Sequence, residues 1–345
     1  MRVTLPSVVV PNAAGITLKS CQLAADYSAQ FKGVSLVVQV QGHILFEDYP
    51  HGHPDRAHEL ASGTKSFAGV MALAATADGL LHLDELAVQT LPEWRDDPRK
   101  SRVTIRQLLQ LTSGIESGGK HGKVPTYAEA LQARAVFPPG THFLYGAAPF
   151  QIFGEIMRRK LAPQIADPLA YLQSRVFQPL GLHPATWRRG SDSQPQLASG
   201  ASLAAREWAK FGELVCADGL WLGRQILPPE LLHESFHGTS DNPAYGLTWW
   251  LNAPLEITPR NHQRQATFGI EELSQEPIIP RDLIFAAGAG KQRLFVSREK
   301  ELVVVRQATG ILEALAAGER GGFSARKFLR KLLTGNESDL LEHPE

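Results

Sequence analysis

Strand-like sequence in this chain is confined to its two ends, and that distribution constrains the fold more than any other feature. Residues 33 to 49, GVSLVVQVQGHILFEDY, read as a β-hairpin. Val34 to Val40 is β-branched and apolar, Gly42 sits at the turn, and Ile44 to Phe46 resumes the strand. Extended segments return only in the last third, as YGLTWWLN, DLIFAAGAG and QRLFVSREKELVVVRQATG. The pair 293–297 and 302–306, with REKE between, is a second hairpin. Between the ends the periodicity is helical. Phe67, Val70, Met71, Leu73 and Ala74 recur at helical spacing, with Gly79 as a C-terminal stop. Thr104 can cap a short helix that includes Ile105, Leu108 and Leu109. Residues 149–162 and 203–216 read as further helices, Ser20 to Phe31 as a helix packed on the sheet, and ILEALAAGER and SARKFLRKLLTG as terminal helices.

A sheet assembled from both chain ends, with a helical insertion, explains this order. The expectation is one α+β domain over residues 1–345. Its sheet part comes from about 15–60 and 240–335, and its helical part from about 65–235.

Composition excludes several function classes. Lys plus Arg total 35 and Asp plus Glu total 35, so no formal charge imbalance calls for nucleic acid. The two cysteines, Cys21 and Cys216, make no disulfide framework and no C-x-x-C, and are expected as buried free thiols. The opening MRVTLPSVVVPNAAG is short and broken by Pro6 and Pro11, which fits neither a signal peptide nor a membrane span. A full-length chain of this kind would be cytoplasmic. One that has lost a signal peptide would be periplasmic or secreted.

The pattern that carries chemistry is Ser62-Gly63-Thr64-Lys65, at the head of an Ala-rich apolar helix. At i and i+3 the two side chains share a helix face. A serine hydroxyl is a poor nucleophile until something takes its proton. A sheltered lysine can do so, because desolvation favours its neutral form. The helix N-terminus favours negative charge near Ser62. Alone, S-x-x-K also describes a helix start with a surface lysine.

More of the chain bears on that choice. ASGTKSFAG resembles the nucleophile motif of the penicillin-recognising serine hydrolases, nearest to their class C β-lactamase, D-aminopeptidase and esterase branch. RQLLQLTSGI, PPGTHFLYGAAPFQIFGEIM, LASGASLAAREWAKFGELVCADGLWLGRQILP, YGLTWWLN and AAGAGKQRLFVSREKELVVVRQ resemble the family's later segments, in order, over roughly residues 20 to 310. The resemblance implies an antiparallel sheet flanked by helices, an acyl-enzyme mechanism, and no cofactor or catalytic metal.

By the same resemblance Tyr145, in Tyr145-Gly146-Ala147, faces Ser62 and Lys65 and shares in proton transfer. The family's third residue there is Asn or Ser. Ala147 offers no side-chain hydrogen bond, which favours small esters over β-lactams or D-amino-acid peptides. The family's Lys-Thr-Gly or His-x-Gly strand motif is matched by Ala286-Ala287-Gly288, with no cation in first place. The backbone N–H groups of Ser62 and Ala289 are the expected oxyanion donors. Gly288 and Gly290 let substrate approach the strand edge. Further pocket candidates are Ala147, Ala287, Lys291, Arg293 and Trp249. Lys291 and Arg293 would either meet a substrate carboxylate or stand as solvated surface charges. Of Trp249 and Trp250, strand alternation lets only one face a given pocket.

Other patterns read as bland. His51, His53 and His58 form a coincidental loop cluster rather than a metal site. His121 and His262 read as solvent-facing loop residues. Gly114, Gly118, Gly119 and Gly122 lack the ordered phosphate-loop pattern. The expected partner is a small ester or amide substrate, and no oligomeric state follows from the sequence. The rival class is a binding protein that kept the fold and lost the chemistry, motivated by Ala147 and Ala286.

Overall fold

A computed structural model describes residues 15–50, 52–118, 123–165, 167–256, 273–316 and 322–336. His51, Gly119, His121, Gly122 and His262 lie outside the described residues.

The central sheet has six strands: β1 Gly33–Val40, β2 His43–Asp48, β3 Trp250–Leu251, β4 Ile284–Gly288, β5 Gln292–Ser297 and β6 Leu302–Ala308. Their order is β2-β1-β6-β5-β4-β3, and every neighbouring pair is antiparallel. The two chain ends meet where β1 pairs with β6, Val37 opposite Val305. The β1–β2 turn places Gln41 at φ 52 and Gly42 at φ 74. Two left-handed residues suit a tight hairpin, because they match the strands' right-handed twist. β1 is buried throughout: Val34, Leu36, Val38 and Val40 make one apolar face, and the other, with Ser35, Val37 and Gln39, is buried as well.

Both faces of the sheet are covered. On β5 neighbouring side chains point to opposite faces. A Cβ on Gly212 would lie 2.7 Å from Leu294 Cδ1, so the helix Ala205–Cys216 packs on that face. Phe295, one residue on, stacks on Phe328 at 6.2 Å, which places the helix Ala325–Thr334 on the other. The helix Leu18–Gln30 shares that second face, since Ser28 Oγ accepts from Arg306 Nε. It carries a Thr17–Ser20 capping box.

Between β2 and β3 the chain forms the helical insertion. Its longest helices are Lys65–Ala77, Ala148–Leu161 and Ala205–Cys216. The first is buried from Lys65 to Ala75, so it is apolar on all sides rather than along a stripe. Phe67 sits against Phe177, Phe211 and Trp187 at ring separations of 5.3, 4.2 and 5.7 Å. The short helix Ile105–Leu109 starts at Thr104, with Gln107 completing a capping box. The Pro- and Gly-rich segment PLGLHPATWRRG, whose composition favours a loop, is not all loop. Thr186–Trp187 pairs with Ala201–Leu203, which also pairs with His58–Glu59 in a small second sheet. These two-residue pairings come from segments far apart in sequence, so local periodicity carries no trace of them.

Candidate active site

The chain enters the site through a strained turn. After Leu60 it makes a 3-10 turn, Ala61–Thr64, that runs into the helix Lys65–Ala77. Ala61 takes φ 46, a left-handed value that costs a non-glycine residue about 1–3 kcal/mol and must be held by its surroundings. The holding contacts come from Ala201. Its carbonyl accepts from Leu60 N at 2.9 Å, and its N–H donates to Thr64 Oγ1 at 3.1 Å. Thr64 Oγ1 in turn donates to Ala61 O at 2.7 Å. Gly63 is small of necessity, because a Cβ there would lie 2.9 Å from Trp208. The turn leaves Ser62 half-buried at its crest, with Lys65 beneath it.

Lys65 Nζ lies 3.0 Å from Ser62 Oγ and donates to Ala198 O, also at 3.0 Å. Its side chain is buried, and burial pushes its pKa from 10.5 down to about 7. The Tyr145 and Phe150 ring centroids are 4.9 and 5.3 Å from Nζ. Such rings favour a cation, by about 0.5–2 kcal/mol. Lost hydration acts the other way and is the cause of the downward shift. Ala198 is placed by Gln151, whose Oε1 accepts from Leu197 N at 2.9 Å while its Nε2 donates to Pro125 O at 3.2 Å. A neutral amine within hydrogen-bond reach of a serine hydroxyl can act as its general base.

Tyr145 joins this group through its ring. It stacks on Trp250 at 5.8 Å and meets Tyr245 edge-on at 6.5 Å. Gly146 has no room for a side chain, since a Cβ would lie 2.3 Å from Ser117 Cβ. Ala147 is half-buried at the N-cap of the helix Ala148–Leu161, with its N–H on Ser117 O at 3.2 Å.

The end of β4 closes the other side. A Cβ on Gly288 would fall 2.0 Å from Leu60 O and 3.1 Å from Gly63 N, so strand and nucleophile turn are in backbone contact. Ala287 and Ala289 are buried beside it. Gly288 is extended (φ −128), so close approach and not backbone freedom requires glycine here.

Two pocket candidates sit elsewhere than expected. Trp249 is fully buried and stacks on Phe211 at 5.7 Å, away from the tyrosine. Trp250 takes the place beside Tyr145, and only Trp250 and Leu251 are regular strand. Arg293 is not a solvated surface charge. It is 1 % exposed, and its Nη1 donates to Gly288 O at 3.2 Å and Gln292 O at 2.8 Å. Lys291 is half-buried at φ 63, and its carbonyl accepts from Arg306 Nη1 at 2.7 Å.

Sequence reasoning missed Ala198, Gln151 and Tyr245, and of the tryptophan pair it favoured Trp249 over Trp250. Ala198 acts through its carbonyl, so no side-chain pattern announces it. Tyr245 and Trp250 lay inside a segment whose resemblance was noted, and the aromatic content of that segment was the available signal. Among the described residues no three His, Cys, Asp or Glu side chains group as metal ligands, and no helix is long and apolar enough to cross a membrane. Cys21 and Cys216 are free, and burial pushes both thiols up to about 12.

The fold is that of a serine-hydrolase-like protein. The chain belongs to the β-lactamase family, whose model matches residues 21–310. Two solved structures share its fold. One is EstCE1, a hydrolase with promiscuous acyltransferase activity, 15% identical with a TM-score of 0.67 over 93% of this chain and 99% of that one. The other is the β-lactamase/D-alanine carboxypeptidase of Pseudomonas syringae, 18% identical with a TM-score of 0.65 over 92% and 99%. A monacolin J acid methylbutanoyltransferase of Aspergillus terreus is 29% identical over 163 residues, 39% of this chain. The match spans 38% of that relative's length.

Proposed function

We propose that this protein is a serine hydrolase that works through an acyl-enzyme, with small carboxylic esters as its first substrate class. The observation that carries the reading is the buried Lys65 amine, its pKa pushed down to about 7 by burial, within 3.0 Å of Ser62 Oγ. Neutral Lys65 takes the Ser62 proton as Oγ attacks the ester carbonyl carbon. The carbonyl π-electrons move onto oxygen, and the backbone N–H groups of Ser62 and Ala289 stabilise that oxyanion. Collapse breaks the bond to the leaving alkoxide, which takes a proton from the Lys65–Tyr145 pair. Water then attacks the Ser62 ester carbonyl and gives up a proton to the same pair; collapse breaks the bond to Ser62 Oγ, which takes that proton back as the carboxylic acid leaves.

The missing side-chain amide at Ala147 supports esters over β-lactams and D-amino-acid peptides, which stand second. The likeness to an acyltransferase and to EstCE1 favours a further route for the same acyl-enzyme, in which an alcohol replaces water as acceptor.

Intact-mass analysis after a fluorophosphonate probe, with peptide mapping, tests the reading. A single adduct on Ser62, absent in Ser62→Ala, is expected. Turnover of p-nitrophenyl acetate should give acetate, and added alcohol should divert part of it to a new ester. No adduct on folded protein, with no ester turnover, would replace the enzyme with a binding protein of the same fold.

A further inference from the structure

β5 and β6 each bring an arginine to the same place. Arg293 and Arg306 are register partners on neighbouring strands, and both are buried. Both donate to main-chain carbonyls around one short turn. Arg293 Nη1 reaches Gly288 O at 3.2 Å and Gln292 O at 2.8 Å. Arg306 Nη1 reaches Lys291 O at 2.7 Å, and its other nitrogens bond Ser28 Oγ at 3.0 Å and Phe31 O at 2.7 Å. Gln292 closes the base of the turn, with Nε2 on Ala308 O at 2.7 Å and Oε1 accepting from Ala308 N at 3.0 Å. The turn so held is Ala289–Lys291, directly after β4.

Two buried cations side by side are costly. Burial, then the Arg293 charge, push the Arg306 pKa down from its ordinary value to about 9. Pure packing would be served better by apolar side chains of similar size. The geometry suggests what the charge does. Gly288 C=O and Ala289 N–H belong to one peptide unit, which is trans, so they point in opposite directions. A guanidinium held on the oxygen fixes the tilt of that peptide plane. It also polarises the amide, because hydrogen bonds in a chain strengthen one another at low dielectric. The N–H on the far side becomes a stronger donor, and its direction is set.

We propose that Arg293 is a positioning residue of this site: through the Gly288 carbonyl it aims and strengthens the Ala289 N–H as an oxyanion donor, with Arg306 bracing the same turn. Alanine at position 286 leaves the substrate side of the strand without a cation, and Arg293 supplies positive charge from behind the peptide. The inference rests on the hydrolase reading above.

The test compares wild type, Arg293→Met and Arg293→Lys, each checked for fold by circular dichroism and thermal melting. Two readouts are taken: steady-state ester hydrolysis, and affinity for phenylboronic acid. Boron accepts Ser62 Oγ as its fourth bond while the hydroxyl proton passes to Lys65, and the resulting tetrahedral anion mimics the oxyanion state. The expected result is a loss of kcat by roughly ten- to a hundredfold in Arg293→Met. Boronate affinity should fall by a similar factor while KM stays within about twofold, because the trigonal ester carries no developing charge. Arg293→Lys keeps the charge and should recover part of both losses. A residue that only packs would lower the melting temperature without this kcat–boronate parallel. If wild type is active and folded Arg293→Met keeps kcat and boronate affinity, the inference fails alone. If wild type neither turns over ester nor binds boronate, the hydrolase reading fails and takes the inference with it. Should Arg293→Met not fold, Arg293→Lys decides. A smaller parallel loss in kcat and boronate affinity supports the role, and wild-type values in both overturn it.

Discussion

Replacing Lys65 with methionine should abolish acyl transfer and yet stabilise the fold, by an amount that depends on pH. Burial lowers the Lys65 pKa from 10.5 to about 7. Its folded-state pKa lies below its unfolded value, so between those values the unfolded chain binds more protons. Stability therefore rises with pH across that window. The penalty is full below pH 7 and fades as pH climbs towards 10.5. For these two pKa values, linkage gives a penalty of about 4 kcal/mol at pH 7 and about 1.5 kcal/mol at pH 9.5, a relief of about 3 kcal/mol. Methionine carries no proton and feels no such dependence. It also leaves Ala198 O without its donor, which costs about 1–3 kcal/mol at either pH. The assay is urea unfolding of wild type and Lys65→Met at pH 7 and 9.5. Subtracting the two proteins cancels every other titrating group. The variant's advantage at pH 7 should exceed that at pH 9.5 by about 3 kcal/mol. An equal difference at the two pH values would refute the claim that Lys65 is stored near neutrality.

Other expectations follow from the same geometry. Acylation of Ser62 by a fluorophosphonate should rise with pH through about 7 and then level off, since the neutral amine is the working form; a flat profile between pH 5 and 9 would remove Lys65 as the base. Gly288→Ala places a methyl 2.0 Å from the Leu60 carbonyl, so strand and turn must part. It should cost about 1–3 kcal/mol in denaturant melts and slow Ser62 labelling, and a neutral effect on both would mean that the contact is loose. Ala147→Asn restores a side-chain amide at the site and should raise β-lactam hydrolysis relative to ester hydrolysis. An unchanged ratio of kcat/KM values would detach that preference from position 147.

Much of the frame was legible because its signals are local. The β1–β2 hairpin is written in Val34–Val40 and Gly42, the Ile105 helix in Thr104, and the Ser62–Lys65 pairing in a spacing of three. Each depends on neighbours within a few residues, where backbone sterics and helix geometry settle the outcome. The small sheet uniting His58, Thr186 and Ala201 has no such signal. Its strands are too short for a period to show.

The chemistry of the site divides along the same line. Sequence alone nominated the side chains proposed to carry it: a serine, a lysine three residues on, a tyrosine, and a glycine at a strand end. Tertiary structure decided how they behave. The Lys65 pKa falls to about 7 because the surrounding packing, including a loop 133 residues away that brings the Ala198 carbonyl to it, strips away its water. Trp250 rather than Trp249 lies against Tyr145, because the segment turns before it becomes strand. Arg293, which sequence left between substrate contact and surface charge, is turned inward onto the Gly288 carbonyl. Hydration, burial and the direction of a peptide plane are properties of everything packed around a residue, and no window of neighbouring letters contains them.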